Sequence, residues 1–261
     1  RSPKQRRSEG VFRGICDCMQ DPAAANRSGE SAQRATGVRL LAIALAALAA
    51  LYFWLYHLGA TPPTPRDRVI VYPFIFALYL FSAWWVWRTG ERPGRRARFA
   101  TVIIGSLALH AVVLFGEAPL NPDLGRHLWE GRVLLEGHNP YAAPPEAAVY
   151  DDLRAELEAK GDDLWSGRWL KYRHIRSVYG PVATALWAIP HLLPIDRVLT
   201  LRILMTLCSL GTVALLVVLL RELGRPRALV VVFAWSPVCV NGFADRGQID
   251  AAMVLLVVLA A

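Results

Sequence analysis

Cysteine is scarce in this sequence. Only four cysteines occur among 261 residues, two in a polar N-terminal stretch (Cys16 and Cys18) and two in apolar runs (Cys208 and Cys239). This spacing does not build a disulfide framework, and a lone C-x-C pair is a weak metal signal. We also expect no cleavable signal peptide, because the first apolar run begins far from the first residue of the sequence and has no convincing cleavage site.

Charge is nearly absent from long stretches of the chain. Apolar residues make up 54% of the sequence, and they are blocked into long runs rather than spaced at helical or strand periods. That distribution is typical of a membrane protein. The net charge is +8, but the basic residues cluster between the apolar runs. This placement favours positive-inside topology over nucleic-acid binding, so we expect the bilayer as a partner and no nucleic acid.

The runs predict an all-α fold, a polytopic bundle of transmembrane helices with a large extracytoplasmic loop that carries interfacial helices. Five runs are candidate spans: 40–58, 69–87, 99–115, 199–220 and 228–243. A final run, 251–261, is shorter than the ~20 residues that a span needs. We therefore expect the natural protein to continue into further spans. Residues 1–39 are polar and Arg-rich, which predicts a disordered cytosolic tail, with Met19 a candidate start.

The arginines predict which loops lie on each side of the membrane. Segment 88–98 carries five arginines and is the strongest cytoplasmic marker, so three crossings from a cytosolic N-terminus place loop 117–176 outside. Segment 221–227 is also arginine-rich. If segment 221–227 is cytoplasmic, the Pro-interrupted run 178–193 does not cross the membrane. We therefore predict that run 178–193 is re-entrant or interfacial. Segment 244–250 then lies outside.

The stretch NPDLGRHLWEGR, residues 121–132, is the densest polar run between apolar segments. Asn121 suits a helix N-cap, Pro122 the first helical position and Asp123 the first turn. Gly137 suits the C-terminal end of the same helix.

On this helix Asp123, His127 and Glu130 share one face, with Arg126 near enough to touch either acid. An Asp in a first turn also complements the helix dipole without any other role. What favours function is the predicted placement of Asp123 and Asp250 on the same outer face, beside Arg126, Arg132 and Arg202.

Two further segments of loop 117–176 have a composition that predicts their structure or their place at the membrane. Residues 146–160 predict a short acidic amphipathic helix. Residues 164–176 mix aromatic side chains with cations, which suits the lipid headgroup layer. The sequence leaves open whether this mixture is a membrane anchor or captures a lipid phosphate.

Several short motifs, in this order, resemble bacterial integral-membrane glycosyltransferases of the GT-C superfamily. They are D-x-x-R-x-L-W-E-G-R at 123–132, G-H-N-P-Y at 137–141, Y-G-P at 179–181, R-x-L-G-R-P-R at 221–227, S-P at 236–237 and G-Q-I-D at 247–250. The resemblance covers roughly residues 117–261. The chain departs from the family pattern at Pro122, which replaces an acid, at Glu130, which replaces Asp, and at Gln248, which replaces His.

The resemblance implies an inverting hexosyl- or pentosyltransferase of the bacterial inner membrane and cell envelope, mannosyltransferase-like. Its donor would be a polyprenyl phosphate sugar, and its acceptor a glycan, lipid or protein. The implied catalytic residues are Asp123 as general base, with Glu130 and Asp250. The implied substrate-binding residues are Arg126, His127, Trp129, Arg132, Asn139, Tyr141, Lys171, Arg173, Tyr179 and Arg202. No cofactor is required by the motifs, and a divalent metal stays open because some members of the superfamily use one.

Two other classes of protein stay open at this point. A transporter or flippase for a lipid-linked or anionic solute fits the Pro-broken run 178–193, because broken helices often line transport sites. The sequence shows no internal repeat, however, and the large outer loop is more typical of an enzyme. The second class is a non-catalytic membrane scaffold, but this class gives no role to the polar residues from Asp123 to Arg132.

Overall fold

The computed structural model describes residues 22–58, 64–90, 94–116, 122–162, 164 and 170–261. Within these ranges the chain is helical and has no strand, which confirms the all-α class. Four helices are long and apolar enough to cross a membrane, and a bent helix pair makes a fifth if it counts as one span. The protein is therefore a membrane protein built from a helical bundle.

Four long helices correspond to the first four predicted spans. They are α1 (Pro22–Phe53, continued by a π-helical turn, Trp54–Leu58), α2 (Pro65–Thr89), α3 (Arg95–Leu114) and α7 (Arg197–Glu222). Helices α2 and α7 begin before their apolar runs, and a polar side chain caps the start of each. Thr64, for example, exchanges hydrogen bonds with Asp67 in a capping box at the start of α2.

The first helix begins at Pro22, and this corrects part of the predicted disordered tail. Residues 22–39 are helical, and only 36–58 have the apolar composition of a span. Pro22 stands at the first helical position and is followed by three alanines, which have high helix propensity. Helix can thus extend past the apolar run that identifies the span. Residues 1–21 lie outside the described part of the chain.

Three shorter helices form the loop region between α3 and α7. They are α4 (Pro122–Leu135), α5 (Asp151–Ala159) and α6 (Pro181–Ala188). A 3-10 turn, Ala148–Tyr150, precedes α5, so the predicted helix 146–160 is present with shorter α-helical bounds. Helix α6 has eight residues and covers only ~12 Å, whereas a hydrocarbon core is ~30 Å thick. Its predicted interfacial or re-entrant placement stays a prediction.

The predicted span 228–243 is a bent pair of helical segments. Its halves, Arg227–Ala234 and Pro237–Asp245, meet at an angle of 50°, and the second half ends in a π-helical turn. Pro237 explains the break, because proline lacks the backbone N–H that a continuous helix needs. We call Arg227–Asp245 the bent segment. The last helix, α8 (Asp250–Ala260), packs against α7.

Helices α3 and α7 run antiparallel, as contacts at two heights show. Arg202 near the start of α7 donates to the carbonyl of Val113 near the end of α3, at 2.8 Å. Further along, His110 Nε2 lies 3.1 Å from Ser209 Oγ. The start of α7, the end of α3 and the loop helices therefore share one end of the bundle, which we call the α4 end. The start of α3 and the end of α7 lie at the other end.

Candidate functional site

Asp123 lies on helix α4, at the end of the bundle that the loop helices share with the end of α3. The helix begins at Pro122, and Asp123 is exposed in its first turn. After the helix ends, Gly137 adopts φ +77°, and His138 N donates to Val133 O at 3.1 Å. This glycine-terminated end confirms the helix that the sequence predicts from Pro122 to Gly137. Asn121, the predicted N-cap, lies outside the described residues.

His127 is an internal packing residue of this helix. Its ring is 4% exposed and stacks on Trp187 of α6, with centroids 4.0 Å apart and planes at 9°. Tyr179 meets the same ring edge-on at 5.2 Å. Neither ring nitrogen has a hydrogen-bond partner among the described residues. Burial, followed by the nearby charge of Arg126, lowers the pKa of His127 to about 4, so the ring is neutral.

Gly131 lets α4 and α6 approach each other closely. A Cβ at this position would lie 2.1 Å from the carbonyl oxygen of Trp187. No side chain larger than hydrogen fits there without moving one of the two helices. The glycine of the W-E-G-R motif is thus explained by helix contact.

Arg126 and Glu130 form a buried ion pair that fastens the loop before α6. Arg126 Nε donates to Glu130 Oε1 at 2.6 Å, and its two terminal nitrogens donate to the carbonyls of Tyr172 and Ile175 at 2.8 and 2.7 Å. Ser177 Oγ donates to Glu130 Oε2 at 2.6 Å. Glu130 is 1% exposed. Since both its oxygens accept hydrogen bonds from the protein, this carboxylate positions residues 172–177.

The negative charges of three carboxylates act on Tyr179. Burial, and then the negative charges of Asp123, Glu130 and Asp250, raise the pKa of this tyrosine above its usual value. Asp250 is exposed at the first residue of α8. The preceding turn packs on α4, because a Cβ on Gly247 would meet Leu124 at 3.2 Å. The structure thereby brings Asp123 and Asp250 to the same site from distant parts of the sequence.

Two of the predicted phosphate-binding arginines are held by protein groups. Arg132 pairs with Glu136 at 2.6 Å and with Glu156 at 3.2 Å. Arg202 is 5% exposed and donates to the carbonyls of Val113, Gly116 and Ala244. The long side chains of both residues stabilise helix ends and junctions rather than extend toward a ligand.

Trp129, for which a contact to a sugar is predicted, lies in the interior of the protein. This residue is 1% exposed and packs edge-on against Tyr150 at 5.9 Å, in a small core beneath α5. Tyr141 is half-buried, and its hydroxyl lies 3.2 Å from Thr184 Oγ1. Asn139 is exposed, and its side chain accepts a hydrogen bond from Tyr141 N. Tyr141 and Asn139 therefore form a turn at the rim of the site.

Cations remain exposed on the segment that follows residue 170. Lys171, His174 and Arg176 are exposed, and Arg173 is half-buried, with its Nε donating to Leu170 O at 3.1 Å. Tyr172, between them, has φ +55°, a conformation that is uncommon for a non-glycine residue. Its carbonyl is the one held by Arg126. The aromatic and basic residues predicted for 165–169 lie outside the described residues.

A second polar cluster, which is not predicted from the sequence, lies at the same end of the bundle. Tyr56 and Tyr72 both donate to Asn241 Oδ1 at 2.5 Å, and Tyr56 also donates to Asp245 Oδ2 at 3.1 Å. Arg68 lies 3.5 Å from the same carboxylate oxygen. Asp245 is 1% exposed, and its other oxygen has no hydrogen-bond partner in the part of the chain that the structure describes. In the sequence, Asp245 directly follows the apolar run 228–243, and an acid at the end of a membrane run is a signal for a functional group.

No group of three or more His, Cys, Asp or Glu side chains that could hold a metal ion occurs within the described ranges. Glu130, which shares helix α4 with Asp123, already accepts hydrogen bonds at both oxygens. We therefore assign no step of a reaction to a metal. Comparisons with protein-family models, with curated proteins and with solved structures found no match.

Proposed function

We propose that this protein is a membrane glycosyltransferase that moves a sugar from a polyprenyl phosphate carrier to an acceptor hydroxyl. The observation that carries the proposal is the pair of exposed carboxylates, Asp123 and Asp250, beside Tyr179 at one end of a membrane-helix bundle. The resemblance of the motifs around both acids to the GT-C superfamily supplies the reaction class.

Asp123 is the proposed general base. The acceptor oxygen forms a bond to the anomeric carbon while its proton passes to Asp123. The bond from that carbon to the phosphate oxygen breaks on the opposite face, and the lipid phosphate leaves with the electron pair. Asp250 and Tyr179 would position the acceptor. A base of this kind contributes typically about 10²–10⁴-fold to the rate.

The leaving phosphate needs cations to stabilise its charge, and three of the arginines predicted for this role already contact protein groups. Arg126, Arg132 and Arg202 are engaged by protein carbonyls and carboxylates. Lys171, Arg173 and Arg176 belong to the segment that Arg126 fastens next to the site. We therefore propose that this segment binds the phosphate of the donor, with charge-assisted hydrogen bonds stabilising the leaving group.

The test measures sugar transfer in membranes that carry the full-length protein, with a panel of radiolabelled polyprenyl phosphate sugars. If Asp123 is the base, Asp123→Asn lowers turnover by about 10²–10⁴-fold at equal protein level. Asp152→Asn is the matched control, because Asp152 is also an exposed aspartate in a first helical turn. Full activity of Asp123→Asn, or equal losses in the two variants, would remove Asp123 from the mechanism.

A membrane carrier of a lipid-linked or anionic solute is the second candidate. It is favoured by the bent segment, whose π-helical end places Asn241 and the buried Asp245 beside Tyr56 and Tyr72. Broken helices with polar groups at their ends often form transport sites. Asp245→Asn would then abolish solute uptake into proteoliposomes, and no sugar transfer would be detected with any donor of the panel.

A further inference from the structure

An arginine-lined cavity of about 380 Å³ lies at the end of the bundle opposite to α4. Its arginines come from two segments far apart in the sequence: Arg95 and Arg96 from the start of α3, and Arg221, Arg225 and Arg227 from the end of α7 and the turn that follows it. Phe99, Pro226 and Ala228 supply an apolar wall.

The two segments are held together by packing that does not use these five side chains. A Cβ on Gly90 would lie 3.0 Å from Pro226, so the end of α2 touches the turn after α7. Arg98 is 1% exposed and donates to the carbonyl of Thr89 at 2.6 Å, which ties α3 to the end of α2. The concave shape is therefore part of the fold.

The five arginines are uncompensated within the described part of the chain. All five are exposed, and none of them forms an ion pair with a described carboxylate. Arg95 and Arg96 also stand in the first turn of α3, which has no acidic residue and where the helix dipole disfavours cations. An anion in the cavity would offset the repulsion among the five arginines. It would also offset the unfavourable interaction of Arg95 and Arg96 with the helix dipole.

A role in membrane orientation alone does not explain this arrangement. Orientation depends on how many arginines and lysines the short loops carry, and not on whether they meet in one cavity. Here guanidinium groups from two loops line the same concave surface at the boundary of the spanning helices, next to apolar side chains. Guanidinium groups bind phosphate oxygens with two parallel hydrogen bonds, and the apolar wall suits the glycerol and upper acyl region of a lipid.

We propose that this cavity binds the phosphate headgroup of an anionic membrane lipid. The site is about 30 Å from the α4 end, because the 20 residues of α3 separate them. It is thus distinct from the proposed transfer site, and its occupancy does not depend on the transferase assignment.

The experiment titrates the detergent-solubilised full-length protein with dioleoyl phosphatidylglycerol and measures retained lipid by native mass spectrometry. We expect Arg225→Gln combined with Arg227→Gln to weaken the apparent affinity by about 25-fold, since each arginine near a membrane surface contributes about fivefold. The double Arg→Lys variant keeps the charge, and we expect it to recover part of the loss because only the guanidinium fork is missing.

Arg88→Gln is the matched control. Arg88 is exposed at the same end of the bundle but does not line the cavity, so the change in charge is the same for each residue replaced. Dioleoyl phosphatidylcholine and glycerol 1-phosphate are the other arms of the titration. The proposal is overturned if phosphatidylcholine binds equally well, if glycerol 1-phosphate displaces phosphatidylglycerol at equal concentration, or if Arg88→Gln causes the same loss per arginine. Absence of any phosphatidylglycerol binding overturns it as well.

Discussion

The imidazole of His127 lies parallel to the indole of Trp187, with ring centroids 4.0 Å apart. This stack joins α4, which carries Asp123, to α6, which follows Tyr179. The ring is buried, and no group in the described ranges forms a hydrogen bond with either nitrogen, so a proton on it would be poorly solvated. Protonation of His127 therefore opposes the packing that positions the site.

Acid should destabilise the protein through this residue. The pKa of His127 is about 4 in the folded protein, below the ordinary value of 6.5. Because the unfolded chain takes up the proton first, stability is constant above pH 6.5 and falls as the pH drops toward 4, by up to ~3 kcal/mol. His191, with the same pKa, adds to the effect in the same window.

We expect His127→Phe to flatten this pH dependence, since phenylalanine stacks but does not titrate. The measurement is the melting temperature in detergent from pH 7.5 to 4.5. His174→Gln is the control, because His174 is exposed and its removal should leave the profile unchanged. An unchanged profile for His127→Phe would show that the stack is not the source of acid sensitivity.

Gly131→Ala should separate α4 from α6. The added methyl would overlap the backbone of Trp187, and overpacking of this kind costs typically about 1–3 kcal/mol. A lowered melting temperature and reduced sugar transfer are expected together, because Asp123 and Tyr179 depend on the same contact. Gly180→Ala is the control, since a Cβ there meets nothing within 4 Å and the backbone φ is −73°. Equal stability of the two variants would contradict the close approach.

Glu130→Gln should loosen the loop that carries the exposed cations. It leaves Arg126 charged in a buried position, and removal of one partner of a buried ion pair costs about 3–5 kcal/mol. Trypsin cleavage after Lys171, Arg173 and Arg176 should accelerate, because the carbonyls of Tyr172 and Ile175 lose their fixed donor. Glu158→Gln, at an exposed position of α5, should leave the cleavage rate unchanged. If both variants resist trypsin equally, the ion pair does not hold the loop.

Single cysteines should react from opposite sides of the membrane when placed at the two ends of the bundle. In a background without native cysteines, we expect His174→Cys to react with an impermeant maleimide in intact cells. Glu222→Cys should react only after permeabilisation, because α7 separates the two positions by ~39 Å. Both residues are exposed, so access to the thiol is comparable. Labelling of Glu222→Cys in intact cells would show that run 178–193 crosses the membrane.

The sequence by itself determined the membrane helices and the helix that carries Asp123. A long apolar run has only one stable backbone conformation in lipid, because each peptide group must bond within its own segment. Helix α4 is likewise specified locally, by Pro122 at its start and Gly137 just beyond its end. These features depend on neighbours within a few residues, so the sequence is sufficient to predict them.

Only the tertiary structure decided what the charged side chains do. Spacing along α4 predicts that Arg126 can reach Glu130, but not that it also holds carbonyls 46 and 49 residues away. Arg202 donates to a carbonyl of α3, whereas Arg225 and Arg227 line the opposite cavity and form no ion pair with a carboxylate in the described part of the chain. A long cationic side chain takes its partner from whatever segment packs beside it. That partner comes from contacts between distant parts of the chain, which residue type and spacing do not specify.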